Sequence, residues 1–142
     1  MDQHSKADFR AMRDGIGLTQ QNVADHFGIA VRTVKRWEHP DWGEIPEDAW
    51  EYLEDMAERH DKMVEDMSAA MVACSRESGV TSLTITYYRD QQQYNEHGRD
   101  AGPVGFVNSV ARDIAAECGR YGLDICFRYP DEGAIRTPGS RY

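Results

Sequence analysis

The apolar positions of this chain change period more than once, and each change marks a boundary. Over residues 5–38 they recur at helical spacing in three short runs. Ser5 is a suitable N-cap for a helix over 5–14, with Phe9 and Met12 on one face. Gly15 and Gly17 end it, and Ile16 and Leu18 anchor the turn. Thr19 caps a second helix whose Val23, Ala24 and Phe27 share a face, and Gly28 fits the position in a tight turn that needs a positive φ. A third short helix is expected from Val31 to Glu38, with Val34 and Trp37 as its apolar pair. Arg32, Lys35 and Arg36 lie off that line.

His39-Pro40-Asp41-Trp42-Gly43 breaks the pattern, and Pro46 followed by Glu47 and Asp48 suits a helix start. No proline or glycine follows until about Glu77. Leu53, Met56, His60, Met63, Met67, Ala70 and Cys74 repeat as an a/d seam, widened by Trp50, Ala57, Val64 and Met71. A helix of that length would span about 48 Å. So long a stripe exceeds what a short chain can bury against itself, so a partner helix is expected, most simply from a second copy. The dimer contact is expected at Leu53, Met56, His60, Met63, Met67 and Met71.

Beyond Ser78-Gly79 the period becomes two. Val80 to Arg89 alternates, with Leu83, Ile85 and Tyr87 on one face. A polar loop is expected over Asp90–Pro103, then an amphipathic helix from Val104 to Gly119 or Gly122. A second strand follows through Leu123, Ile125, Phe127 and Tyr129. Strand, helix and strand at this spacing predict a β-α-β unit, whose two strands need further partners. The expected class is α+β, predominantly α. It divides into a helical unit (1–45), a long helix (46–77), a β-α-β unit (78–130) and a loose tail (131–142).

Hydrophobic residues make up 40% and charged residues 29%, a globular balance. No apolar run suits a membrane span or a secretory signal, so neither is expected. The odd set Cys74, Cys118 and Cys126, with no Cys-x-x-Cys pair, reads as reduced thiols in a cytoplasmic protein. The net charge of -9 is concentrated: residues 1–43 are neutral, 44–66 carry -8, and the remainder -1. An acidic total therefore does not argue against a nucleic-acid partner, though 44–66 must face away from one.

The chemistry lies in Leu18-Thr19-Gln20-Gln21-Asn22-Val23-Ala24-Asp25-His26-Phe27-Gly28-Ile29 followed by Val31-Arg32-Thr33-Val34-Lys35-Arg36-Trp37-Glu38. Ala24 permits close helix approach, Gly28 makes the turn, and Ile29, Val34 and Trp37 seat the next helix. The stretch resembles the helix-turn-helix of phage-repressor-like (Cro/CI, XRE-type) DNA-binding proteins, a lambda-repressor-like fold. That resemblance implies that Gln20 binds a phosphate and that Val31, Arg32, Thr33 and Arg36 face base edges. Lys35 is expected at the groove wall on a phosphate. The resemblance also implies an internal ion pair between Arg13 and Glu38. Two departures stand out. Ala30 occupies a position where Ser or Thr commonly caps the recognition helix, and residues 39–43 replace a short Asn-Gly turn. Trp42 is expected as a partly buried core aromatic, with a contact to the DNA backbone as the second reading.

The layout also resembles the small YdiL-like regulators and the anti-CRISPR-associated autorepressors, through Ile45-Pro46 with Leu53, Ile85 to Asp90, and Asn108-Ser109-Val110-Ala111. It implies a homodimer on an inverted repeat, often near its own promoter, acting as a repressor; RNA is a further partner that the likeness admits. Half-site centres are expected about 10 bp apart or a multiple of that. No enzyme is expected: Tyr87, Tyr88, Arg89, Asp90, Tyr94, His97, Arg99 and Asp100 gather polar groups without a nucleophile–base–acid order. His26, His39, His60 and His97 lack ligand spacing, so no metal is expected, and no cofactor or effector motif is present. The alternative is an interaction or antitoxin-like module that uses the long helix and C-terminal unit.

Overall fold

Capping chemistry sets the first boundaries. In the computed structural model, which describes residues 4–132, Ser5 and Asp8 form a reciprocal capping box that opens α1 (Lys6–Gly15). Thr19 and Asn22 do the same for α2 (Gln20–Phe27). Helix α3 (Val31–Trp37) follows, then α4 (Glu47–Ser78), β1 (Ser82–Thr86), α5 (Gln91–His97), α6 (Val104–Gly119) and β2 (Asp124–Arg128). Among the described residues this is an α+β protein dominated by helix. From residue 133 onward, the tail expected over 131–142 lies outside them. No described helix is long and apolar enough to cross a membrane.

Aromatic rings join the first three helices to the start of α4. Phe9 is fully buried and meets the edges of Trp37 (6.2 Å) and Trp50 (5.1 Å). Phe27 touches Trp37 and Tyr52, and His26 stacks on Tyr52 at 3.8 Å. Helix α6 then lies along α4, burying Phe106, Val110, Ile114 and Cys118 at a spacing of four. One hydrophobic core runs from Phe9 through Leu53 and Met56 to Cys118 and Leu123. The segments at 1–45, 46–77 and 78–130 are therefore continuous in packing.

This corrects the seam expected on α4. Leu53, Met56 and His60 are buried inside the chain itself, which removes them from any contact with a second copy. The physical reason is drift. A straight helix has 3.6 residues per turn, so a 3.5-residue seam rotates about 20° per heptad away from the surface it first faces. Beyond His60 the buried positions shift to Ser68, Val72 and Ser75. Met71 packs partly against the core, whereas Met63 and Met67 are 41% and 50% exposed. The helix partner that the sequence calls for is, over the first half of the stripe, the chain's own α1 and α6.

Backbone packing locks the joint. Gly17 lies so close to Gly105 that a Cβ on either would fall on the other's carbonyl oxygen. Beside this contact Ser109 Oγ donates to the Gly15 carbonyl (3.1 Å) and sits 3.0 Å from His60 Nε2. Three helices are thus tied through one hydroxyl. Asp61 and Asp113 flank the buried imidazole at 3.3 and 3.4 Å.

The polar loop expected over Asp90–Pro103 contains a helix instead. Asp90 caps α5 by accepting from the Gln93 N–H, and Gln91 to Asn95 and Gln92 to Glu96 make i,i+4 hydrogen bonds. Seven residues with few apolar positions carry no readable period, but Gln93 and Tyr94 are 2% and 4% exposed and fasten the turn. The strands pair in parallel with Leu83 opposite Ile125 and Ile85 opposite Phe127. Leu83, Ile85 and Ile125 lean on the core, which gives this small sheet its support. Both strands are shorter than the alternation suggested.

Two outcomes follow from this packing. Gly105→Ala lowers stability in urea unfolding by about 3 kcal/mol, since backbone has to move, whereas Gly15→Ala, with open space around its Cβ, is neutral or stabilising. Tyr94 donates its hydroxyl to Asp100 and is pushed up to about 12, by burial first and then by that carboxylate. An unfolded tyrosine ionises near 10, so this contribution is intact below pH 10 and is lost as the pH rises toward 12. Stability measured across that window falls less steeply in Tyr94→Phe than in the wild type.

Candidate nucleic-acid interface

The turn between α2 and α3 is short because two residues allow it. Gly28 adopts φ 65°, which an L side chain rarely tolerates, and its N–H and that of Ile29 close onto the carbonyls of Asp25 and Ala24. Ala24, fully buried, keeps the helices close. Helix α3 buries Val34 and turns Trp37 toward Phe9 and Phe27. Arg32, Lys35 and Arg36 project exposed from the opposite side, with Val31 and Thr33 half-buried on its flanks. Five of the residues expected to meet nucleic acid therefore share one short helix. Ala30 gives α3 no side-chain cap.

A buried ion pair fixes that helix. Arg13 Nε donates to Glu38 Oε2 (2.6 Å) and Nη2 to Oε1 (2.8 Å), while Nη1 donates to the Leu18 carbonyl (3.0 Å). The two side chains are only 7% and 4% exposed. Hydrogen bonding to Glu38 raises the Arg13 pKa above its ordinary value. The Arg13–Glu38 pair is thus formed as the resemblance implied. Gln20 joins it: its Nε2 donates to Glu38 Oε1 at 3.2 Å. Its amide nitrogen is thus engaged internally, and Gln20 helps lock α2 to the end of α3.

Two features here escaped sequence reasoning. Lys6, at the start of α1, donates from Nζ to the carbonyls of Trp37 (2.7 Å), Gly43 (2.6 Å) and Arg36 (3.4 Å). An ammonium there satisfies the C-terminal carbonyls of α3 and complements its dipole. The second is Trp42, expected in the core but 53% exposed, with the Arg36 guanidinium carbon 5.1 Å from its ring centroid. The loop over 39–43 turns outward, so the indole finds a cation rather than apolar neighbours.

The polar groups considered for catalysis are engaged with one another and with their neighbours. Tyr87 accepts from Arg112 at 2.6 Å, Asp90 caps α5, Arg89 faces Asp131 and Tyr94 is bonded to Asp100. Among the described residues no group of three His, Cys, Asp or Glu side chains is placed to hold a metal ion. The chain matches no family model, and no curated protein matches it either.

Removing one partner of a buried pair leaves the other uncompensated, at about 3–5 kcal/mol. Arg13→Met is therefore expected to lower unfolding stability by that order. The double variant Arg13→Met/Glu38→Leu recovers a substantial part, which a double-mutant cycle reads out.

Proposed function

We propose that this chain is a sequence-specific DNA-binding regulator of transcription, acting as a repressor of autoregulatory type. In this reading α2, its glycine turn and α3 are a helix-turn-helix, and α3 enters the major groove. One observation carries it: three exposed cations on a short helix whose reverse side is anchored by a buried bidentate ion pair. Arg32 and Arg36 have the donors for guanine O6 and N7, and Thr33 and Val31 have methyl groups for a thymine. Lys35 contacts a phosphate. Residues 44–66, at -8, repel the duplex and orient it toward α3.

The regulator works as a homodimer. Met63, Met67, Ala70 and Cys74 keep heptad spacing on a face of α4 that the chain leaves exposed. A second copy packed there presents two α3 helices to an inverted repeat, with the β-α-β unit of α6 and the two strands bracing α4. The same face is what an interaction module would use for another protein.

Selection from a randomised duplex pool tests this, with affinities then measured by fluorescence anisotropy. The wild type enriches an inverted repeat. Arg36→Ala weakens binding to it by about 1–3 kcal/mol, and Lys35→Ala weakens all sequences alike and reduces the salt slope by about one. A folded wild type that enriches nothing at low salt refutes the proposal and favours the interaction module.

A further inference from the structure

Of the chain's three tryptophans, Trp37 and Trp50 pack against the core and Trp42 does not. An indole left in water forgoes the apolar contact that normally places it, so its position here has another cause. That cause is the backbone. Lys6 grips the carbonyls of Trp37 and Gly43 with one ammonium, closing both ends of the intervening excursion. Within it the Trp42 N–H donates to the His39 carbonyl (3.2 Å) and the Asp41 N–H to His39 Nδ1 (3.2 Å). The ring is thereby held beside the last turn of α3, under the Arg36 guanidinium.

A guanidinium lying over an aromatic face keeps its N–H edge free. That edge is what a guanine requires, since bidentate contact to O6 and N7 needs both donors in the plane of the base. A long exposed arginine would otherwise spend its time in many rotamers. We infer that Trp42 is a positioning residue, holding Arg36 in the orientation that reads one guanine in each half of the target. The inference rests on the reading of α3 as the recognition surface. It adds a residue outside that helix to the determinants of specificity.

The test compares wild type, Trp42→Ala, Trp42→Phe and Arg36→Lys in selection from a randomised duplex pool. It is paired with NMR of the Arg36 side chain in the free proteins. In the wild type the Arg36 side-chain protons are shifted upfield by the indole ring; Trp42→Ala abolishes the shift and Trp42→Phe keeps part of it. In selection, Arg36→Lys reduces the preference for guanine at one base pair by about tenfold or more. Trp42→Ala reduces it at the same base pair by about two- to fivefold, the size of an exposed cation–π contact, with the salt slope unchanged. Trp42→Phe restores most of it.

Three results overturn the inference: an unshifted Arg36 in the wild type, an unaltered guanine preference in Trp42→Ala, or a uniform loss across sequences. The last would make Trp42 part of a backbone contact. A wild type that shows the ring shift but selects no sequence refutes the recognition reading itself. One that selects a sequence without the ring shift refutes only the role of Trp42.

Discussion

The arrangement of the N-terminal helices depends on a charge that has nowhere else to go. Arg13 is buried among α1, the turn after it and the end of α3, and Glu38 is the carboxylate that meets its fork. Desolvating two such ions costs several kcal/mol each, and their attraction repays that only in good geometry with the remaining donors satisfied. Both conditions hold, because the third nitrogen finds the Leu18 carbonyl and Gln20 reaches the carboxylate from α2. Apolar replacement of such a pair is often neutral, so its net contribution to stability is small. If α3 rotates about its axis the pair breaks, so its outer face has one orientation relative to α1 and α2.

The rest of the molecule extends that rigidity. Gly17 against Gly105 leaves no room for slippage between the α1–α2 turn and α6. Ser109 links the end of α1 to His60 on α4. Aromatic packing of Phe9 and Phe27 on Trp50 and Tyr52 carries α4 along. The acidic half of α4 is thus held at a fixed place relative to the basic face of α3. In the proposed complex, charge segregation along the chain becomes a preferred direction of approach in space.

Local signals were legible and long-range ones were not. Ser5, Thr19 and Gly28 marked α1 to α3 because capping and positive φ are decided within a few residues. The pairing of Arg13 with Glu38 was available only through resemblance, since no local pattern joins positions 25 apart. Lys6 gave no signal, because a lysine at a helix start is read as solvated by default, and Trp42 was placed in the core ahead of a backbone contact, because a large aromatic is read as apolar first. Helix α5 was hidden because seven mostly polar residues hold no period, and its reason for folding, buried Gln93 and Tyr94, is tertiary. The α4 stripe was seen correctly as apolar, but its partner was not. Heptad spacing suggests a second copy, while Leu53, Met56 and His60 are taken up by the chain's own helices. Of the candidate site, the exposure of the α3 cations was legible from their place off the apolar line. The inward hydrogen bond of Gln20 was not.

The central claim is that nucleic acid meets the Arg32–Arg36 side of α3 and avoids the acidic side of α4. Photo-crosslinking tests it most directly, with a benzoylphenylalanine placed at Lys35 in one variant and at Glu58 in another, each bound to a labelled duplex selected by the wild type. The account predicts crosslinks from position 35 and none above background from position 58. Crosslinking from 58 with none from 35 would contradict it.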